Sequence, residues 1–390
     1  MQRLTPSALT FAIVTLAPMP TGAQTTFTGH TIATELSGGY QVVATDLNAD
    51  GRTDLIALAS RLSELVWFEN PSWQRHVIAG NRAGMINLAV HDLDDDGIPE
   101  IALAEGFSTR PDRSEGIVSI LRHESDPAAP WSIQEIDRVP TSHRLRWIDL
   151  GEDLRLINAP LAGATSQPPE YRGDTPIYAY DPDDWSRSLV ANDGGIVHGI
   201  QPIEWDDSTS RQSLLSASFL GVHLHRYDNG QWTRSRIHAG DPADWPASGS
   251  SEVGLGRVGD QDYIATIDPW HGHQVVVYTQ DNGTWLRNII DNTLEDGHTL
   301  IVGDIDGDGA DEIIVGARRG AQVALYRSLD GEWIKQVIDD GGMAAAACAL
   351  ADFNVDGRLD IACIGSATAN LKWYENQSIV DSPWSSVRGR

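Results

Sequence analysis

Cysteine is nearly absent: Cys348 and Cys363 are the whole supply in 390 residues. That excludes a disulfide-stapled scaffold and a Cys-rich zinc site, leaving packing and bound cations to hold the fold together. Positive charge is also scarce, with 28 Lys+Arg against 55 Asp+Glu and a net charge of −27. A chain so acidic has no electrostatic footprint for nucleic acid or for an anionic membrane surface. Its partners should be neutral molecules, cations or substrates met by a local basic patch. Long apolar runs are missing as well; no segment past the N-terminus approaches 18 apolar residues, so no membrane insertion is expected. Helix-spaced apolar patterning does not persist anywhere, which argues against a helical domain.

The N-terminus carries Arg3, an apolar run from Ala8 to Ala17 and the small-x-small site Thr21-Gly22-Ala23. Residues 1–23 read as a signal peptide, so a periplasmic or secreted location is expected. Such a compartment supplies calcium at concentrations that weak loop sites use. Residues 24–380 read as one domain, and 381–390 as a C-terminal tail.

Self-comparison exposes a repeat. Four acidic loops begin at Asp46, Asp92, Asp304 and Asp352, each lying between two apolar, strand-like runs. Downstream of each comes a β-rich run ending in an aromatic, such as Leu65–Phe68 or Val323–Tyr326, then a turn and a Trp that opens another strand. Those tryptophans are Trp73, Trp131, Trp185, Trp232, Trp285 and Trp333. Between Glu100 and Asp304 the acidic loop decays but its flanks persist, giving seven repeats of roughly 50 residues. Four strands per repeat is the composition of a propeller blade, so the expected fold is an all-β, seven-bladed β-propeller. Gly29–Ala33 resembles Arg75–Ala79, an outermost strand. The N-terminal segment is therefore predicted to supply the outer strand of the last blade, closing the ring and removing exposed edges. In the same blade Cys348 and Cys363 should face one another across the inner hairpin, whether bonded or not.

Each acidic loop places Asp or Asn at its first, third and fifth positions, Gly at the sixth and Asp or Glu at the ninth. The sets are Asp46, Asn48, Asp50 and Asp54; Asp92, Asp94, Asp96 and Glu100; Asp304, Asp306, Asp308 and Glu312; and Asp352, Asn354, Asp356 and Asp360. Hard oxygen ligands converging on one point suit several structural calcium ions. The alternative is a set of Asp-Gly turns with solvated carboxylates.

With strands named A to D from the axis outward, the A–B loops lie on one face. The residues leading into A and the B–C loops lie on the other. Six residues before each loop start stand Tyr40, Ile86, His143, His198, Ser250, His298 and Ala346, so three of seven are histidine. A B–C segment adds Trp270, His271 and His273, and another adds Arg318 and Arg319. His143, His198, His271 and His298 are therefore predicted to cluster at the funnel mouth. There they would hold zinc or another divalent metal, or act as general acid and base beside Tyr40. The positions are expected to be exposed, so that alanine substitution changes stability by no more than about 0.5 kcal/mol. Asp268 and Glu252 are further acid candidates. Arg144 and Arg319 are read as binding sugar hydroxyls, and Trp270 as stacking on a pyranose. His223 and His225 are expected on an exposed strand face.

The acidic loops resemble FG-GAP or VCBS repeats. The segments His143–Trp147, Val197–Gly199, Gly249–Val253, Ala265–Gly272, Asp296–Leu300, Gly316–Gly320 and Gly341–Ala344 resemble the propeller of the aldos-2-ulose dehydratase family. The likeness covers blades three to seven well, and blades one and two mainly through the loops. It implies an exported lyase that eliminates water from a keto-sugar, such as an aldos-2-ulose or 1,5-anhydrofructose, with metal assistance in the central funnel. The substrate would then be a small sugar or oligosaccharide. Fungal members carry later cupin domains associated with a second, isomerising step, and this sequence shows none. The rival readings are a polysaccharide lyase acting on a uronate polymer and a non-catalytic, calcium-stabilised module that binds carbohydrate or protein.

Overall fold

The computed structural model describes residues 25–151, 153–205 and 211–377. The signal-peptide and tail readings, 1–23 and 381–390, lie outside them. Among the described residues, seven antiparallel four-stranded sheets are arranged as the blades of a propeller, as the repeat count predicts. Strand A of each blade is, in order, Gly39–Thr45, Asn87–His91, Ser142–Asp149, Val197–Ile203, Val253–Val258, Gly297–Gly303 and Ala345–Ala351. The only helical turn among the described residues is the short 3-10 segment Pro111–Arg113. No described helix is long and apolar enough to cross a membrane.

Burial follows from the stacking of sheet on sheet. Strand B meets a neighbouring blade on both faces, so runs such as Asp54–Ala59, Glu312–Ala317 and Asp360–Gly365 are buried at every position. Strand D has water along one side, and Gln231–His238 accordingly has no fully buried position. The strand-opening tryptophans reach between blades: Trp73 meets Phe353 and Trp373, and Trp333 meets Tyr263.

The ring closes as predicted. Phe27–Ala33 pairs with Leu371–Asn376 as the outer strand of the last blade, with Gly29 opposite Tyr374. Cys348 lies opposite Cys363 in the inner hairpin of that blade, and the two form a disulfide.

A polar clasp recurs between adjacent blades. An aspartate near the end of one strand D accepts hydrogen bonds from a tyrosine on the next strand C and from a nearby cation. Asp137 meets Tyr180 and Arg187, Asp291 meets Tyr326 and Lys335, and Asp339 meets Tyr374 and Lys372. In the fourth blade His225 stands where these blades have tyrosine, and Asp193 bonds Ser216, Ser218 and Arg234. The expectation of an exposed face for His223 and His225 is therefore wrong, since they are 5% and 0% accessible. Alternation predicts exposure only where a sheet has a free face, and an inner propeller strand has none. Burial pushes the His223 imidazole down to about 3 and that of His225 to about 4.

Candidate active site

The two ends of the ring differ in how their polar groups are held. On the A–B end, the first-position aspartate of each acidic loop accepts a hydrogen bond from the sixth-position glycine amide. These bonds, at Asp46–Gly51, Asp92–Gly97, Asp304–Gly309 and Asp352–Gly357, measure 2.8, 2.9, 3.1 and 2.7 Å. The four glycines share φ between 83° and 91°, a conformation that costs a side-chain-bearing residue strain. Carboxylate oxygens of Asp92, Asp94 and Asp96, and of Asp304, Asp306 and Asp308, lie within 4.8 Å of one another.

The ninth-position carboxylates are set apart from these. Asp54, Glu100, Glu312 and Asp360 are buried, and each accepts the amide of the loop's second residue: Leu47, Leu93, Ile305 or Phe353. Asp54 and Asp360 use the second oxygen on the Asn70 and Asn376 amides. The ninth position thus braces the loop from beneath. Burial raises Asp54 and Asp360 to about 6 and Glu312 to about 8.

On the opposite end the residues leading into strand A converge on the axis. His143, His198 and His298 come from blades three, four and six, and the B–C turn of blade five brings in His271. Ring centroids lie 5.0 Å apart for His143–His198, 4.9 Å for His198–His271 and 5.1 Å for His198–His298. The four predicted histidines thus form one cluster, but at the floor of the funnel rather than its mouth. His143, His198 and His298 are each 1% accessible, which overturns the expectation of exposed positions. The three rings are covered by one another and by Tyr40, Phe107 and Arg144.

Three histidines direct their Nε2 atoms at one another. His298 Nδ1 donates to the Ala346 carbonyl at 2.6 Å, which leaves its Nε2 unprotonated, and that atom is buried with no partner. His198 Nδ1 lies 2.8 Å from Glu252 Oε1 and 3.1 Å from Ser251 Oγ, with its Nε2 3.2 Å from His271 Nε2. His271 Nδ1 faces Arg318 at 3.0 Å and Asp296 at 3.5 Å. Ligand nitrogens of all three lie within 4.8 Å of each other. Tetrahedral zinc with Zn–N of 2.0–2.1 Å places its ligand nitrogens about 3.3 Å apart. His198 and His298 fit such an ion as they stand, with Nδ1 on a carboxylate and on a carbonyl and Nε2 free to bind, whereas His271 Nδ1 accepts from Arg318, so its Nε2 carries a proton toward His198 and would bind an ion only after giving it up. Burial, then the Arg144 guanidinium or a neighbouring cation, keeps His143, His198 and His298 well below the ordinary imidazole range, and His271 falls to about 4.

His143 stands beside this set. Its Nε2 pairs with the Tyr40 hydroxyl at 2.8 Å and with Arg144 Nη1 at 3.1 Å, while its Nδ1 is buried without a partner. Arg144 is neutralised by Glu252 at 2.9 Å. Below the cluster the axis continues into a small cavity of about 100 Å³, walled by Arg144, Arg146, Glu252, Asn87 and Thr299.

Arg319 is exposed on its turn, and its neighbour Arg318 points inward to His271 and Asp296. Trp270 packs against Phe219 and Tyr171 in an apolar cluster. Asp268 lies in a clasp with Arg287, Tyr278 and Thr266, away from the histidines. Asp296, Ser251 and Phe107 escape the sequence reading because they fall at no repeated position. Phe107 lies 5.5 Å from the His143 ring.

Fold and site together define an FG-GAP-repeat propeller with a histidine-lined funnel, and comparison with known proteins agrees. Residues 46–103 and 304–363 match the FG-GAP-like repeat family. Residues 115–281, which carry His143, His198 and His271, match the family described as aldos-2-ulose dehydratase, beta-propeller domain. Aldos-2-ulose dehydratase of Phanerodontia chrysosporium is 27% identical over 263 residues, taking in 58% of this chain and 29% of that protein. The chain thus spans under a third of the length of the curated relative it matches. Among solved structures, a luciferin-regenerating enzyme superposes with a TM-score of 0.48 at 9% identity, covering 90% of this chain and 97% of the other. The chain is a propeller distantly related to the propeller domain of aldos-2-ulose dehydratase.

Proposed function

We propose that the chain is an exported carbon–oxygen lyase that removes water from a keto-sugar at the histidine cluster. The observation that carries this reading is the convergence of the His198, His271 and His298 Nε2 atoms beside the Tyr40–His143 pair. His198 and His298, joined by His271 once its Nε2 proton is lost, would hold a zinc or similar divalent ion, which would supply Lewis-acid polarisation of the substrate carbonyl. The chain's own groups move the proton. Tyr40, which lines the cavity and holds its hydroxyl on His143 Nε2, takes the proton from the carbon next to the carbonyl and passes its own to that nitrogen. The carbon–oxygen bond one carbon further breaks as the double bond forms, and the departing hydroxyl leaves as water with the proton returned through Tyr40. Arg144, fixed by Glu252, keeps His143 neutral and able to accept.

The funnel arginines favour this over a uronate-polymer lyase, because Arg144 and Arg318 are already paired with Glu252 and Asp296. Structural calcium in the acidic loops is part of the same proposal, supported by the clustered carboxylates. Export is supported by the leader reading and by the Cys348–Cys363 disulfide, which suits an oxidising compartment. The test is incubation with 1,5-anhydrofructose and with keto-glucoses, following absorbance of the enone product. Metal-dependent enone formation is expected; no product from any of them with metal-replete protein would sink the dehydratase reading.

A further inference from the structure

The histidine cluster lies at one edge of a larger space. A cavity of about 550 Å³ opens over blades seven, one and two, and Tyr40 and Arg318 belong both to its wall and to the cluster. Met85, Ile86 and Phe107 give the wall an apolar part, and Ser60, Ser366 and Ala367 a small-residue part. Over blades three to five the same face is closed, because Leu161, Tyr171, Phe219 and Trp270 pack into an apolar cluster.

The asymmetry follows from the connections. The turns at Gly38 and Gly84, with φ of 71° and 60°, form part of the cavity wall over blades one and two. In blade three the long segment between Pro160 and Asp174 brings Leu161 and Tyr171 into the apolar cluster with Phe219 and Trp270. A substrate whose carbonyl reaches the histidines therefore has room on one side only. That room is in the range of pockets that enclose a drug-sized ligand, more than a single pyranose fills. Of the two arginines in the wall, Arg318 is paired with Asp296 at 3.0 Å and Arg61 stands exposed at the outer rim, so the inner part of the wall beside the histidines is close to neutral. Phe107 offers a ring against which a sugar face packs.

We propose that this cavity is a subsite for a neutral substituent O-linked to the reacting ring, so that the preferred substrate is a keto-glycoside of about two-ring size. The inference rests on the dehydratase reading for what happens at the histidines, but the cavity's occupancy is separately measurable.

The experiment compares wild type with Ala367→Trp, a bulky change at an exposed wall position, and with Ser60→Phe elsewhere on the wall. Rates of enone formation are measured for keto-glucose and for the same keto-sugar carrying a phenyl or glucosyl group on its anomeric oxygen. Calorimetry then measures binding of glucose and cellobiose, which need no turnover. Wild type should show kcat/KM at least tenfold higher for the substituted keto-sugars, and should bind cellobiose at least tenfold more tightly than glucose. Both preferences should fall at least tenfold in either variant. Equal kcat/KM for free and substituted sugars, or preferences unmoved by both variants, overturns the subsite. Absence of turnover with every keto-sugar removes the dehydratase reading alone; the subsite then stands if cellobiose binds more tightly than glucose and falls if it does not.

Discussion

The two ends of the ring reach polar concentration by opposite routes. At the A–B end the same nine-residue loop is repeated in four blades, its outer carboxylates exposed or half-buried, its ninth buried, and its geometry set within each hairpin. At the other end three blades share a histidine at one position, but no single blade holds the site. Tyr40, His143, His198, His271 and His298 come from five blades and meet only because the ring closes. A local, repeated motif tolerates loss of one copy, whereas a site assembled across blades loses its chemistry with any one member.

The largest effect that sharpens this contrast is expected at the funnel. His298→Ala should lower enone-forming turnover at least about 100-fold by removing one of three converging nitrogens. It should also cost about 1–3 kcal/mol in denaturant unfolding, because it leaves a cavity and an unpaired Ala346 carbonyl in a buried place. Turnover within tenfold of wild type would take His298 out of the site. Tyr40→Phe is next: it keeps the ring but removes the hydroxyl on His143, so turnover should fall about 10²-fold or more with stability little changed. Full retention would leave His143 without its proposed relay.

At the other end a single loop should matter far less. Asp304→Asn with Asp308→Asn should lower the melting temperature by a few degrees in calcium and leave turnover within about twofold, since an ion bound only by the folded state stabilises by mass action. If the pair of changes left the calcium-induced shift whole, that loop would not be a calcium site.

The smallest effect concerns the clasp of the fourth blade. His223 and His225 have folded-state values of about 3 and about 4, below the ordinary 6.5, so the unfolded chain binds their protons first. Their contribution to stability is present above about pH 6.5 and is lost as the pH falls toward 4. His225→Tyr, which copies the clasp of the other blades, should flatten unfolding free energy against pH in that window. An unchanged slope would show that the histidine is not responsible.

What the sequence disclosed follows the same division. The blades, the ring closure through Gly29–Ala33 and the facing cysteines were legible because each is a periodic or symmetric pattern along the chain. The four histidines were legible by position, since three fall six residues before a loop start and the fourth in a B–C turn. Their burial was not, because it depends on side chains from several blades covering one another once the ring has closed. Arg318 and Arg319 differ by one residue at a turn, and only the folded chain decides which turns inward. The indole of Trp270 sits in the apolar cluster built by the long segment after Pro160, which no repeat announces. The ninth-position carboxylates carry the right chemistry for a cation, yet their oxygens are taken up by backbone amides whose approach depends on the hairpin's curl.

The most direct test of the account is a cobalt(II) titration of chelator-treated protein, read by visible absorption, for wild type and His298→Ala. Four-coordinate nitrogen sites and six-coordinate oxygen sites differ in geometry, so the spectrum separates the two ends of the ring. The account predicts one equivalent of intense, four-coordinate bands in wild type, absent in His298→Ala, with the weak bands of oxygen-bound cobalt kept in both. Weak bands alone in wild type would contradict a metal site at the histidine cluster.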